Sequence, residues 1–128
     1  MIQTLLQHSD FTIVTKPEGI SCHNEDTSLL QLMGKGWHLV NRIDRETSGL
    51  VVITQKPELQ NDIQIALTQG KKFYAAVLRG NMPQETGPSS GMWHEWFFPI
   101  SDHGEGRDNP QGRLEDQKES RTLYRVIQ

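Results

Sequence analysis

Apolar residues in this chain come in short blocks separated by turn-forming ones, and the spacing within each block decides what it predicts. Phe11-Thr12-Ile13-Val14-Thr15 is rich in β-branched types and is closed by Lys16-Pro17-Glu18-Gly19, a short strand entering a turn. Ile20-Ser21-Cys22-His23 continues as loop or as a second brief strand. Leu29, Leu30, Leu32 and Met33 predict a short helix over 28–33, capped by Asp26 or Thr27 and terminated by Gly34. Gly34-Lys35-Gly36 then links to Trp37-His38-Leu39-Val40. The run Leu50-Val51-Val52-Ile53-Thr54 is continuous rather than alternating, the pattern of a strand buried on both faces inside a sheet.

Past Lys56 the period changes. Pro57 suits a first helical turn, and Leu59, Ile63, Ala66 and Leu67 recur on one face, so a helix is expected over roughly 57–69 with Gly70 as its C-cap. The block 71–80 predicts a strand with a basic entry at Lys71-Lys72 and a glycine exit at Gly80. Residues 81–92 form a loop by their proline and glycine content. Residues 93–100 predict an aromatic strand or edge segment stopped by Pro99, with Trp93, Trp96, Phe97 and Phe98 packing in the core. From 101 to 119 Leu114 is the one apolar residue, which reads as a long functional or disordered loop. Arg121 to Ile127 alternates polar and apolar, a half-buried strand, and a chain stopping there reads as a domain incomplete at its C-terminus. The expected fold is a single α+β domain over 1–128, with a mixed, mainly antiparallel sheet and one or two helices.

Length agrees with that picture, since 128 residues hold one real core and leave no room for a second sizeable one. Cys22 is the single cysteine, so no intramolecular disulfide can form and the cytoplasm is the default location. The N-terminus carries no basic n-region, and no run approaches the roughly 18 apolar residues of a membrane span, so no membrane partner is expected. His8, His23, His38, His94 and His103 show no ligand spacing, so no metal is expected either.

Charge sharpens the reading more than composition does. A net charge of −3 is wrong for a generally basic nucleic-acid binder. The segment 34–80, however, carries seven bases against four acids between two acidic flanks. A locally basic face suits an RNA or phosphate partner, and suits equally an ordinary solvated surface.

That basic segment contains Asn41-Arg42-Ile43-Asp44-Arg45-Glu46-Thr47-Ser48-Gly49, a carboxylate with an arginine on each side, placed just before the buried strand. A charged cluster on a tight loop anchored to core is where chemistry tends to sit. The same pattern out of context is a surface salt-bridge loop. With Leu50 it resembles the His-Arg-Leu-Asp-x-x-Thr-Ser-Gly-Leu signature of the RluA-type RNA pseudouridine synthases. Further segments resemble that family in its own order: Phe11 to Gly19, the Lys72-Phe73-Tyr74-Ala75-Ala76-Val77 block, Trp96 to Pro99 with Gly104 to Gly112, and Ser120 to Val126. Together they cover essentially the whole chain. Asn41 stands where the family has His, and the family's arginine-containing segment beyond the last strand has no matching position here.

The resemblance implies an enzyme that isomerises uridine to pseudouridine in rRNA or tRNA, with no cofactor. It implies that Asp44 is the catalytic carboxylate, ionised so that it can attack or stabilise the ribose carbon or remove a ribose proton. It implies that Tyr74 stacks on the target base and is a candidate to take the carbon 5 proton. Arg42 matches an arginine that holds the target nucleotide out of its stack. Arg45 and Lys72 are further substrate-binding candidates, Lys72 with Lys71 on charge and position. A second reading makes the chain a catalytically impaired, truncated RNA-binding module, and an unpaired sheet edge left by the missing segment would invite self-association. A third, a hydrolase built on Asp44, lacks a second carboxylate or histidine placed to serve it.

Overall fold

The continuous apolar run becomes the interior strand of a four-stranded antiparallel sheet. The computed structural model describes residues 1–24, 26–80, 91–97, 100–101, 117–118 and 121–127. Two compact units divide the chain, Met1–Tyr74 and Ala75–Gln128.

The first unit contains β1 (Gln3–Gln7), β2 (Thr12–Lys16), α1 (Leu29–Met33), β3 (His38–Leu39), β4 (Gly49–Thr54) and α2 (Gln60–Thr68), with a single 3-10 turn at Pro57–Leu59. The sheet order is β1-β2-β4-β3, every pairing antiparallel. β2 and β4 align Val14 with Val51 and Thr12 with Ile53. In β4 Val51, Val52, Ile53 and Thr54 are all buried, as a strand with neighbours on both edges and cover on both faces requires. Val14, Cys22, Leu29, Val51 and Ile53 form the core, with Ile2, Met33, Trp37, Leu39 and Ile43 packed against it. Full burial of each such aliphatic side chain contributes roughly 1.5–3 kcal/mol.

α1 begins one residue later than its candidate caps. Ser28, not Asp26 or Thr27, accepts from the Gln31 amide at 3.4 Å, and Leu29 supplies the buried side chain. Gly34 ends it as expected, its amide donating to the Leu30 and Gln31 carbonyls. The 57–69 helix is present but divided: proline starts the 3-10 turn, and α2 proper runs to Thr68 with Gln69 as C-cap in place of Gly70. Its expected apolar face is only half covered. Leu59, Ile63 and Leu67 are half-buried and Ala66 is exposed. A polar contact also ties α2 to the sheet: Gln60 Nε2 donates to the Leu39 carbonyl at 2.6 Å.

The strand expected over 71–80 is absent. Residues 71–78 have no regular structure and all of 71–80 are exposed. A strand exists only by pairing, and apolar content cannot supply a partner. β1 and β3 were not anticipated, the first because Gln3–Gln7 is exposed throughout and carries no burial pattern, the second because two residues are too few to show a period.

In the second unit β5 (His94–Phe97) pairs with β8 (Arg121–Tyr124), and β6 (Ile100–Ser101) pairs with β7 (Gln117–Lys118), both antiparallel. Trp93, expected in the core, is 53% exposed and lies under the Arg125 guanidinium, 5.2 Å from its ring centre. β8 is mostly exposed rather than half-buried. The expectations for 81–90, Phe98 and most of 101–119 lie outside the described residues. The outcome is an α+β fold with short helices and antiparallel sheets.

Candidate active site

Period two along β2 sends Thr12, Val14 and Lys16 inward together. Lys16 is therefore a buried lysine, 1% exposed, and an ammonium so placed must spend its donors on the protein. It does so completely. Nζ donates to the carbonyls of Pro17 at 2.9 Å, Ile20 at 2.7 Å and Arg45 at 3.1 Å. The first two fold the 17–20 turn over the end of β2, and the third reaches the residue after Asp44.

The same turn grips Arg45 twice more. The Gly19 amide donates to the Arg45 carbonyl at 2.8 Å, and Arg45 Nε donates to the Gly19 carbonyl at 3.1 Å. Gly19 sits at φ +85°, a conformation in which glycine has no side-chain penalty. On the other side of Asp44, Cys22 Sγ donates to the Ile43 carbonyl at 3.3 Å. Both carbonyls flanking the aspartate are thus pulled towards the body of the unit.

Asp44 itself opens a four-residue turn, its carbonyl accepting from the Thr47 amide at 3.1 Å. Its side chain is exposed and has no hydrogen bond or ion pair among the described residues. The Thr-Ser-Gly element returns the chain to β4 through Gly49 at φ +151°.

Arg42 is exposed, its Nη1 pointing to His23 Nε2 at 3.5 Å, a long contact. Asn41 performs a structural task. β3 ends at Leu39, and beyond it the Val40 amide donates to the Val52 carbonyl at 2.9 Å while Asn41 Oδ1 accepts from the Val52 amide at 2.7 Å. The asparagine side chain thus stands in for the strand carbonyl that β4 would otherwise lack.

Asp44, Arg42 and Arg45 are brought together on one braced loop. Tyr74 and Lys72 fall in the exposed 71–78 segment, Tyr74 at 68% exposure, and among the described residues no hydrogen bond or ring contact joins Tyr74 to Asp44. Neither Lys16 nor Cys22 is marked as a functional residue by the sequence pattern. Lys16 looked like a turn residue, although its parity with Thr12 and Val14 already placed it on the inner face. Cys22 had no such signal, because its role depends on a loop 21 residues away. Chemically, the arrangement offers an accessible carboxylate on an immobilised backbone with two guanidinium groups within one residue or two. Among the described residues no group of three or more metal-ligating side chains occurs, and no helix is long and apolar enough to cross a membrane.

Comparison with known proteins agrees with the loop. The RNA pseudouridylate synthase family model matches residues 10–128. An uncharacterized RNA pseudouridine synthase of Haemophilus influenzae is 41% identical over 85 residues, covering 59% of this chain and 38% of that protein. RNA pseudouridine synthase 1 of Arabidopsis thaliana is 35% identical over 75 residues, covering 55% and 23%. Ribosomal large subunit pseudouridine synthase C of Buchnera aphidicola is 30% identical over 90 residues, covering 62% and 29%. The matched part is thus well under half the length of each relative. Human RNA pseudouridylate synthase domain containing 4 has the same fold at a TM-score of 0.66 and 20% identity, over 96% of this chain and 52% of that one. With its signature loop braced before β4 and the family match spanning nearly all its length, the chain belongs to the RNA pseudouridylate synthase family.

Proposed function

We propose that this chain carries the catalytic aspartate of an RNA uridine isomerase acting on rRNA or tRNA in the cytoplasm, without a cofactor. The observation that supports it most is the loop of Asp44. Its backbone is tied at both flanking carbonyls, by Lys16, Gly19 and Cys22, while the carboxylate is left exposed and uncommitted among the described residues. A reactive group needs that division between a fixed frame and a free functional end.

In the reaction the N-glycosidic bond of uridine breaks, the detached uracil turns, and a bond forms from ribose to carbon 5. The carbon 5 proton leaves and nitrogen 1 gains one, so nothing is consumed. Asp44 supplies the ionised carboxylate at the ribose. Tyr74 stacks on the base and is the candidate to take the proton. Arg42 holds the nucleotide out of its stack, at an unstacking cost on the order of a few kcal/mol. Arg45 and Lys72 contact the RNA backbone. Self-association through an unpaired sheet edge is part of the same reading; among the described residues β1 and β3 are the edges of the four-stranded sheet, each paired on one side only.

RNA carrying tritium at uridine carbon 5 tests it. The protein should release label to water, and Asp44→Asn should not. Release that survives this substitution sinks the assignment of Asp44, whereas tight RNA binding with no release from the unaltered protein leaves a non-catalytic binding module.

A further inference from the structure

Between α1, β3 and α2 lies an open, solvent-facing cavity of about 390 Å³. Arg42 lines it, and Asp44 does not. Apart from Leu30, Leu39 and Val40 its lining is polar and aromatic, and six residues give it a chemical character: Trp37, His23, His38, Arg42, Gln60 and Gln64. We infer that this cavity receives an unpaired nucleobase of the RNA next to the target uridine, held between the Trp37 ring and the side-chain amides of α2. This rests on the reading of the chain as an RNA uridine isomerase.

The chemistry of the lining selects the ligand. Trp37 is half-buried, packed against the core and part of the cavity lining, and its indole is a planar surface suited to stacking another planar ring. Gln64 has an amide with no hydrogen bond among the described residues, offering a donor and an acceptor together. Gln60 has committed its Nε2 to the Leu39 carbonyl, which fixes the rotamer and leaves its oxygen to accept. An in-plane edge of mixed donors and acceptors is what a nucleobase presents. Arg42 adds a permanent positive charge for the phosphate attached to that base.

Position decides which base. Arg42 precedes Asp44 by two residues, and two residues of chain reach at most about 7 Å. The Arg42 rim of the cavity is therefore close to Asp44, and a nucleotide that enters over this rim is a near neighbour of one at Asp44. A base still in a duplex stack could not enter, so the cavity selects single-stranded loops or bulges.

The test is equilibrium binding by the full chain carrying Asp44→Asn, so that no RNA is turned over. The probes are a hairpin RNA with a uridine-containing loop and a fully paired duplex. Gln64→Ala and Trp37→Leu should each weaken hairpin binding roughly five- to hundredfold, the range for losing one stacked or edge-bonded base, and leave duplex binding within twofold. Trp37→Phe should recover most of the Trp37→Leu loss. Gln64 lies on an exposed position of α2, so its variant carries the test even if Trp37→Leu fails to fold. Hairpin affinity unchanged in Gln64→Ala, or an equal loss on duplex, overturns the proposal. Absence of tritium release from the unaltered protein would remove the isomerase reading alone, since these affinities are measured without turnover.

Discussion

The ammonium of Lys16 lies 3.1 Å from the main-chain carbonyl of Arg45, 29 residues away, and that bond joins the end of β2 to the residue following Asp44. A charge buried at the end of a strand thereby becomes the brace of an exposed carboxylate. Its other two bonds fold the 17–20 turn, which returns to Arg45 through Gly19, so one lysine organises both sides of the bracket.

Lys16→Met should therefore destabilise the protein by about 2–4 kcal/mol: three partly buried carbonyls lose a charged donor worth roughly 1.5–3 kcal/mol per bond, relief of burying an ammonium offsets part of that, and among the described residues only the Arg45 carbonyl keeps a second partner. Urea denaturation measures it. A change below about 0.5 kcal/mol would show that the bonds are not needed to hold the bracket.

Gly49→Ala should cost about 1–3 kcal/mol through backbone strain alone. An added Cβ would meet only Ile43 Cδ1, at 3.7 Å, an ordinary contact, while φ of +151° is hostile to any side chain. Thermal melting of Gly49→Ala against Ser48→Ala separates the two contributions, and equal melting temperatures would refute the strain argument.

Asn41→Asp keeps an acceptor for the Val52 amide and Asn41→Leu removes it. The leucine variant should lose about 1–3 kcal/mol, the cost of an unsatisfied buried amide, and the aspartate variant clearly less. Amide exchange at Val52 should accelerate in the leucine variant only. Were it to accelerate equally in both, the side chain would not be the partner that matters.

Asp10 titrates below its ordinary value of 3.8, chiefly because Lys56 Nζ donates to its carboxylate at 2.6 Å. A depressed folded-state value means that the carboxylate's contribution is complete above the unfolded value and fades as pH falls through the folded one. The melting-temperature gap between the unaltered protein and Asp10→Asn should accordingly be constant near neutrality and close below about pH 3.8. A gap that widens on acidification reverses the sign and the assignment. The pair is solvent-exposed, so added salt should narrow the gap as well.

The Asp44 loop, the interior strand after it and the capped helix before it were legible because each is a local property. β4 announced itself through five consecutive apolar or β-branched residues, and α1 through leucines closed by Gly34. The 71–80 strand failed for the complementary reason. Its composition suits a strand, but strands are made by partners, and nothing in the order of residues says where a partner lies.

By itself, then, the sequence determined the signature loop, its place ahead of a buried strand and the family to which both belong, since these follow from contiguous residues and short-range periodicity. Only the tertiary structure decided what holds that loop. Lys16 and Cys22 act on it from 29 and 21 residues away, and Asn41 completes the ladder of a strand 11 residues on. A hydrogen bond is set by distance in space, and spacing along the chain does not reveal that distance until the sheet has brought its ends together.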